Sequence, residues 1–98
     1  MLPIKVTRGA ATQIREAGSW WLANRGAAPE ALKEELQRVF DLIAQQPAIG
    51  ARATNIRLPG IRRIHLSRIH YYLYYRVRST HIEVVAFWHT SRSKYPHL

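Results

Sequence analysis

The residues of this chain best suited to chemistry are basic and aromatic side chains between residues 59 and 92. Arginine can hold a phosphate or a carboxylate through paired N–H groups, tyrosine can stack on a nucleobase, and histidine titrates near neutral pH. On neighbouring strands, such residues indicate a surface that meets a negatively charged partner. The candidates for this contact are Arg62, Arg63, His65, Tyr72, His89 and Arg92.

The same side chains also have an ordinary structural interpretation. Arg62, Arg63 and His65 fit a solvated strand face, where basic residues are common. His89 fits a histidine that packs or bonds the backbone at the end of a sheet. Half-buried aromatic residues such as Tyr72 are frequent in strands. On the residues alone, both interpretations stay open.

The positive charge is unevenly distributed along the sequence. From residue 51 onward there are nine Lys or Arg residues and a single acid, Glu83, whereas the first fifty residues have six bases and five acids. The net charge of +9 therefore belongs mostly to the second half. This half attracts a polyanion, and charge alone does not distinguish nucleic acid from an acidic protein.

Composition bounds the class of protein. The chain fits one domain, residues 1–98, and a hydrophobic fraction of 47% is sufficient for a packed core. The absence of cysteine excludes disulfides and thiolate metal sites, and the five histidines lack compact ligand spacing, so we expect no metal and no cofactor. With no secretory leader and no run of about 20 apolar residues, we expect a cytoplasmic protein outside the membrane.

A short strand at residues 4–6 and a first helix are predicted at the start of the chain. Thr7 is the expected N-cap of the helix, Trp20 lies beside its apolar face, and Gly26 fits a left-handed residue that ends it. The apolar face is predicted to contain Ile14, Ala17, Trp21 and Leu22.

A second helix is predicted between Pro29, which suits a first turn, and Pro47, which ends the pattern. The two helices should form an antiparallel hairpin, and residues 48–60 should form a loop. The buried stripe of the second helix is predicted to contain Leu32, Leu36, Val39, Phe40 and Ile43.

Three consecutive antiparallel strands are predicted in the basic segment, with a hairpin turn at residues 78–81. In the middle strand, alternation points Tyr72 and Tyr74 away from the helices. The residues on the helix side of this strand are predicted to be Tyr71, Leu73, Tyr75 and Val77. The last strand should place on one side Ile82, Val84, Ala86 and Trp88. The predicted fold class is α+β, in the order β-α-α-β-β-β, with the helical hairpin packed on a mostly antiparallel sheet.

Three motifs carry a resemblance to a known family. They are Pro-Gly-Ile-Arg-Arg at 59–63, Tyr-Tyr-Arg-Val at 74–77 and His-Thr-Ser-Arg at 89–92. In this order the chain resembles the RelE/ParE superfamily of toxins from bacterial type II toxin–antitoxin modules, over about residues 3 to 92. The Gly-Ile-Arg-Arg segment and His89 are more similar to the ParE branch.

The resemblance implies three alternative functions. A ParE-like toxin would bind and poison DNA gyrase and so block replication, with a role in plasmid stabilisation and growth inhibition. A RelE-like toxin would instead be a ribosome-dependent mRNA endonuclease. A degenerate relative would only bind its antitoxin. We favour the gyrase poison, which would not be an enzyme, whereas the endonuclease alternative would be one.

The nuclease alternative depends on residues that the resemblance aligns with RelE-type catalytic positions. Arg63 and His65 occupy the places of two lysines, Tyr72 occupies that of an arginine, Arg92 matches an arginine, and Tyr95 arrives a few residues early for the late tyrosine. Arginine is a poor general base because it stays protonated. The chain therefore has only part of the RelE-type catalytic set. Arg63, His65, Arg92 and Tyr95 are assigned as catalytic only if the protein is a nuclease.

The resemblance also implies a cognate antitoxin, expected to be acidic because the chain has a net charge of +9. A disordered acidic segment that folds on contact would suit this surface. We expect it along the helical hairpin and the sheet edge, giving a toxin–antitoxin hetero-oligomer. The expected antitoxin-binding residues are Trp20, Trp21 and Arg76.

Overall fold

A computed structural model describes residues 1–26, 28, 30–92 and 94–98. These residues form two helices on a five-stranded sheet, which confirms the predicted α+β class. The elements are β1 (Ile4–Val6), α1 (Arg8–Asn24), α2 (Ala31–Gln45), β2 (Ala51–Arg52), β3 (Arg62–Leu66), β4 (Tyr71–Val77) and β5 (Ile82–His89). The prediction of a continuous loop over residues 48–60 is wrong in one respect, because this segment contains β2. The sequence did not indicate β2, because two residues are too few to show a periodic pattern.

The sheet has the order β1-β5-β4-β3-β2. Only the β1–β5 pair is parallel among the strands described, and the other neighbours are antiparallel. The long central strands β4 and β5 are mostly buried, whereas β2 pairs two residues with β3 at one edge. This order brings the end of β5 beside the start of β4 and close to β3.

The first helix begins as predicted, because the Thr7 hydroxyl accepts the Ala10 N–H at 3.1 Å. Its end differs. Gly26 has no positive φ, and the helix is capped by the Arg25 N–H, which donates to the Trp21 carbonyl. The expected buried position of Leu22 is also wrong: its side chain is 67% exposed, since Trp21 and Ala17 already fill the interface.

The second helix buries Leu32, Val39 and Ile43 from the predicted stripe, and Leu36 and Phe40 are packed at its margin. Its N-cap is Glu30. The predicted role of Pro29 lies outside the described residues. The helix pair and the sheet enclose the main core, which is apolar.

A β-bulge interrupts the pairing of β4 with β5. Tyr75 lies opposite Val84 and Tyr74 lies opposite Ala86, so Val85 has no partner. A bulge residue shifts the alternation of its strand by one position. The prediction that Ala86 and Trp88 share a side with Val84 is therefore wrong.

The second face of the sheet has a small core of its own. Tyr74 is 1% exposed and packs with Ile61, Val85 and Ala86, while Leu98 lies against this group. Tyr74 thus points away from the helices as predicted but is covered by chain segments outside the sheet. In the same strand Tyr71, Leu73 and Tyr75 face the main core, whereas Val77 is 43% exposed because β4 ends there.

The Tyr75 hydroxyl fastens the segment after α2 to the sheet. It donates to the Pro47 carbonyl at 2.7 Å and accepts the Gly50 N–H at 2.9 Å. A Cβ on Gly50 would lie 2.7 Å from that hydroxyl oxygen. Glycine is therefore required by close approach of the backbone to Tyr75.

We predict that Tyr75→Phe lowers the free energy of unfolding by about 1–3 kcal/mol, because the buried Gly50 N–H and the partly buried Pro47 carbonyl lose their partner. Gly50→Ala should cost at least as much through steric overlap. The matched control is Gly9→Ala, which meets nothing within 4 Å on α1 and should be neutral or stabilising. Urea denaturation measures all three, and equal stability of Gly50→Ala and Gly9→Ala would contradict the packing described.

Candidate functional site

Basic and aromatic side chains converge on the second face of the sheet, around a cavity of about 220 Å³. Arg63 comes from β3, Tyr72 from β4, and Trp88 from the end of β5; the chain that follows adds three more residues. We call this group the basic cluster, and it consists of Arg63, Tyr72, Trp88, Arg92, Lys94 and Tyr95.

Two arginines of the basic cluster lie over aromatic rings. The Arg63 Cζ is 4.1 Å from the centre of the Tyr72 ring, and the Arg92 Cζ is 4.0 Å from that of Trp88. Such cation–π contacts contribute about 0.5–2 kcal/mol each and restrict the guanidinium groups. The positive charges are therefore held in place before any partner arrives.

The segment after β5 is held against the basic cluster by Trp88. Its indole N–H donates to the Lys94 carbonyl at 2.7 Å. Pro96 beyond it is buried, and Leu98 packs on the second core. This contact explains why Tyr95, early in sequence for its proposed position, nevertheless lines the same cavity as Arg63.

Arg63 stays protonated in this site. The neighbouring Tyr74 side chain raises the pKa of the Arg63 guanidinium, and partial burial only partly offsets that increase. Arg63 is suited to stabilise a negative charge and unsuited to accept a proton.

The other two β3 candidates lie apart from the cavity. Arg62 donates to the carbonyls of Ala48 and Gly50, at 3.2 and 2.7 Å, so its guanidinium supports the loop before β2. His65 is exposed, and its ring centre is 5.1 Å from that of Tyr72, on which it packs. His65 is thus a neighbour of the basic cluster but does not line its cavity.

His89 lies between the basic cluster and α1. Its Nδ1 accepts the Ser91 N–H at 3.1 Å and is 2.7 Å from the Ser91 hydroxyl, so the neutral ring carries its hydrogen on Nε2. Its edge meets Tyr71, with ring centres 4.9 Å apart. Burial lowers the pKa of His89, and the nearby positive charges of His70 and Arg92 lower it further.

The three residues expected to bind an antitoxin differ in accessibility. Trp20 is 42% exposed on α1, with the Arg25 Cζ 5.4 Å from its ring centre. Trp21 is 6% exposed and its indole donates to the Ala28 carbonyl, so it supports Trp20 from within the core. Arg76 forms an ion pair with Glu83, at 2.7 Å, across β4 and β5.

Sequence reasoning missed Trp88 and Lys94 as members of the site. Regular alternation grouped Trp88 with Ile82 and Val84, which face the helices, and only the bulge transfers it to the other face. Lys94 lies after the last strand, where no periodic pattern applies. The sequence offered one signal for Trp88, because this aromatic residue immediately precedes the predicted site residue His89.

A metal-binding cluster and a membrane-spanning helix are both absent from the residues that the structure describes. In that part of the chain no group of three or more His, Cys, Asp or Glu side chains could hold a metal ion. No helix within the same ranges is long and apolar enough to cross a membrane.

Comparison with protein families identifies the chain. The family model described as "ParE toxin of type II toxin-antitoxin system, parDE" matches residues 4–94. The chain belongs to this ParE toxin family. It is therefore a type II toxin–antitoxin toxin of the RelE/ParE superfamily, as its motifs indicated. A comparison with curated protein sequences finds no match.

Solved structures share the fold of this ParE-family chain. The chromosomal ParDE system from P. aeruginosa has a TM-score of 0.63 at 19% identity, covering 93% of this chain and 98% of the other. The E. coli RelBE toxin–antitoxin complex has 0.68 at 19%, covering 94% and 100%. The YoeB dimer from Staphylococcus aureus has 0.59 at 17%, covering 90% and 95%.

We predict that His89 of this ParE-family chain titrates below the ordinary value of 6.5. An unfolded histidine then binds its proton first as the pH falls, so the free energy of unfolding decreases below about pH 6.5. Replacement by His89→Asn should remove that part of the pH dependence. Histidine NMR titration and thermal unfolding between pH 5 and 8 measure the two effects. A titration midpoint at or above 6.5 would contradict the burial and charge placement described.

Proposed function

We propose that this toxin acts by binding: it engages DNA gyrase through the basic cluster, traps the cleaved-DNA state and blocks replication. The observation that carries the proposal is the placement of Arg63 and Arg92 on the rings of Tyr72 and Trp88. Permanently charged, prepositioned groups favour recognition of a negative surface, because they lose little conformational freedom on binding. The match to the ParE family model supports the same target.

The geometry supports proton transfer less well. Cleavage of RNA through its 2′-hydroxyl needs a base and an acid, each contributing about 10²–10⁴-fold. Arg63 cannot serve as the base, because a guanidinium group stays protonated near neutral pH. His65 is outside the cavity lining, and the Nδ1 of His89 is already engaged by Ser91.

A ribosome-dependent mRNA endonuclease is the second candidate, and one observation favours it. The cavity brings together Arg63, Arg92 and Tyr95 and also has His89 in its wall. Two guanidinium groups there could stabilise a scissile phosphate, with a phenol and an imidazole as proton-transfer groups. A third candidate, an inactive relative that only binds antitoxin, would share the fold and lack both activities.

All three candidates include an acidic antitoxin, and two of the three compared structures are toxin–antitoxin systems. We propose that the antitoxin binds along α1 and the sheet edge, with the exposed ring of Trp20 as an anchor. We also propose that the protein is a single domain of the cytoplasm, where gyrase, ribosomes and a coexpressed antitoxin are found.

The test is a paired assay on toxin released from its antitoxin. One arm measures gyrase supercoiling and trapped cleavage complexes, and the other measures mRNA cutting on translating ribosomes. We predict inhibited supercoiling with intact mRNA, and about a tenfold or greater loss of inhibition in Arg63→Gln and Arg92→Gln. The matched control is Arg78→Gln, an equal charge change in the β4–β5 turn, which should lose less than threefold.

The outcomes separate the candidates. Cut mRNA with unaffected gyrase would overturn the binding proposal and make Arg63, Arg92 and Tyr95 the catalytic candidates. Inactivity in both arms, together with antitoxin binding, would establish the inactive relative. Equal losses in Arg92→Gln and Arg78→Gln would mean that total charge, and not the basic cluster, drives inhibition.

A further inference from the structure

A second cavity, of about 270 Å³, lies on the helix side of the sheet where the end of β5 meets α1. We call it the helix-side pocket. Neither gyrase binding nor RNA cleavage accounts for it, although His89 and Arg92 border both cavities. The polar and aromatic groups in its wall are Gln13, Glu16, Trp20, Tyr71, His89 and Arg92.

Tyr71 supplies an accessible hydroxyl, on an otherwise buried side chain, to the helix-side pocket. Its side chain is 7% exposed, and its ring stacks on Phe87 with centres 4.4 Å apart and planes 1° from parallel. Its hydroxyl has no hydrogen-bond partner among the described residues. Every side-chain N or O atom that is fully buried in those residues has a partner, so the Tyr71 hydroxyl is not fully buried. The hydroxyl therefore opens into the cavity, where it is available to a ligand.

The remaining groups in the wall act mainly as donors. The Gln13 Oε1 accepts the Phe87 N–H at 2.8 Å, which leaves the Nε2 amide for a ligand. The neutral ring of His89 presents Nε2–H, because its Nδ1 is bound to Ser91. Burial raises the pKa of the Tyr71 hydroxyl, and the positive charge of Arg92 partly offsets the rise, so the guanidinium acts on the same space.

A hydroxyl, an amide, an imidazole N–H and a guanidinium together select an acceptor with negative charge. The volume suits one side chain and is below that of a pocket for a drug-sized molecule. Trp20, at the solvent-exposed side, offers an apolar surface to a methylene stem. Exposed Glu16 repels a doubly charged phosphate more than a singly charged carboxylate.

We propose that the helix-side pocket binds the carboxylate of a Glu or Asp side chain from an acidic peptide segment, which in the proposed function belongs to the antitoxin. The net charge of +9 attracts such a segment, and the pocket fixes one of its acids in register. The source of the peptide rests on the proposed function. The selection of a carboxylate rests on Tyr71, Gln13, His89 and Arg92 alone.

The test titrates the full chain with acetyl-Ala-Glu-Ala-amide and, as the matched probe, acetyl-Ala-Gln-Ala-amide. NMR follows the Trp20 indole and the Gln13 side-chain amide. We expect saturable shifts of both signals with the Glu peptide and at least fivefold weaker binding of the Gln peptide. Equal binding of the two peptides, or shifts confined to Lys94 and Tyr95, would overturn the proposal.

Variants separate a defined pocket from general attraction to a basic protein. Tyr71→Phe removes one hydroxyl without changing the charge and should weaken the Glu peptide about fivefold, as expected for one hydrogen bond. Arg92→Gln should weaken it tenfold or more, and Arg78→Gln less than twofold. The proposal would be overturned if Tyr71→Phe bound the Glu peptide with unchanged affinity. It would also be overturned if the two arginine variants lost equal affinity for that peptide.

The peptide titration and the gyrase assay fail independently. Selective Glu-peptide binding without gyrase inhibition would sustain the helix-side pocket and refute the proposed target. Gyrase inhibition without selective Glu-peptide binding would sustain the target and refute the pocket.

Discussion

Val85 has no partner on β4, and the two faces of the sheet depend on that single extra residue. Before it, Val84 faces the helices; after it, Ala86 and Trp88 face the second core, and Phe87 faces the helices again. A regular strand would place Trp88 toward α1 and His89 toward the basic cluster. The bulge thus gives Trp88 to Arg92 on one face and His89 to Tyr71 on the other.

The bulge therefore places groups of different charge on the two faces of the sheet. The basic cluster has permanently charged guanidinium groups held on aromatic rings, and the helix-side pocket combines a neutral imidazole, a phenol and an amide. His89 and Arg92 line both cavities, because β5 ends at His89 and the chain then turns back across the end of the sheet. A polyanionic target and a single acidic side chain are the ligands that these two arrangements fit.

Local signals predicted much of the fold. Thr7 was recognisable as a cap, and the stripe containing Val39 and Ile43 as a buried helix face. The bulge gave no signal, because Val85 and Ala86 are apolar and suit either face. The burial of Tyr74 could not be predicted from local sequence patterns either, because Ile61 and Leu98, which cover it, are distant in sequence. Long-range packing, which periodicity does not encode, determined both.

The surroundings of the Trp88 indole show directly whether the bulge places Trp88 and His89 on opposite faces of the sheet. Nuclear Overhauser effects from its ring report which side of the sheet it occupies. With the bulge in place, we expect the Trp88 ring to contact Arg92, Lys94 and Tyr72, and the His89 ring to contact Tyr71 and Trp20. Contacts between Trp88 and α1 would show a regular β5, and the basic cluster and the helix-side pocket as described would not exist.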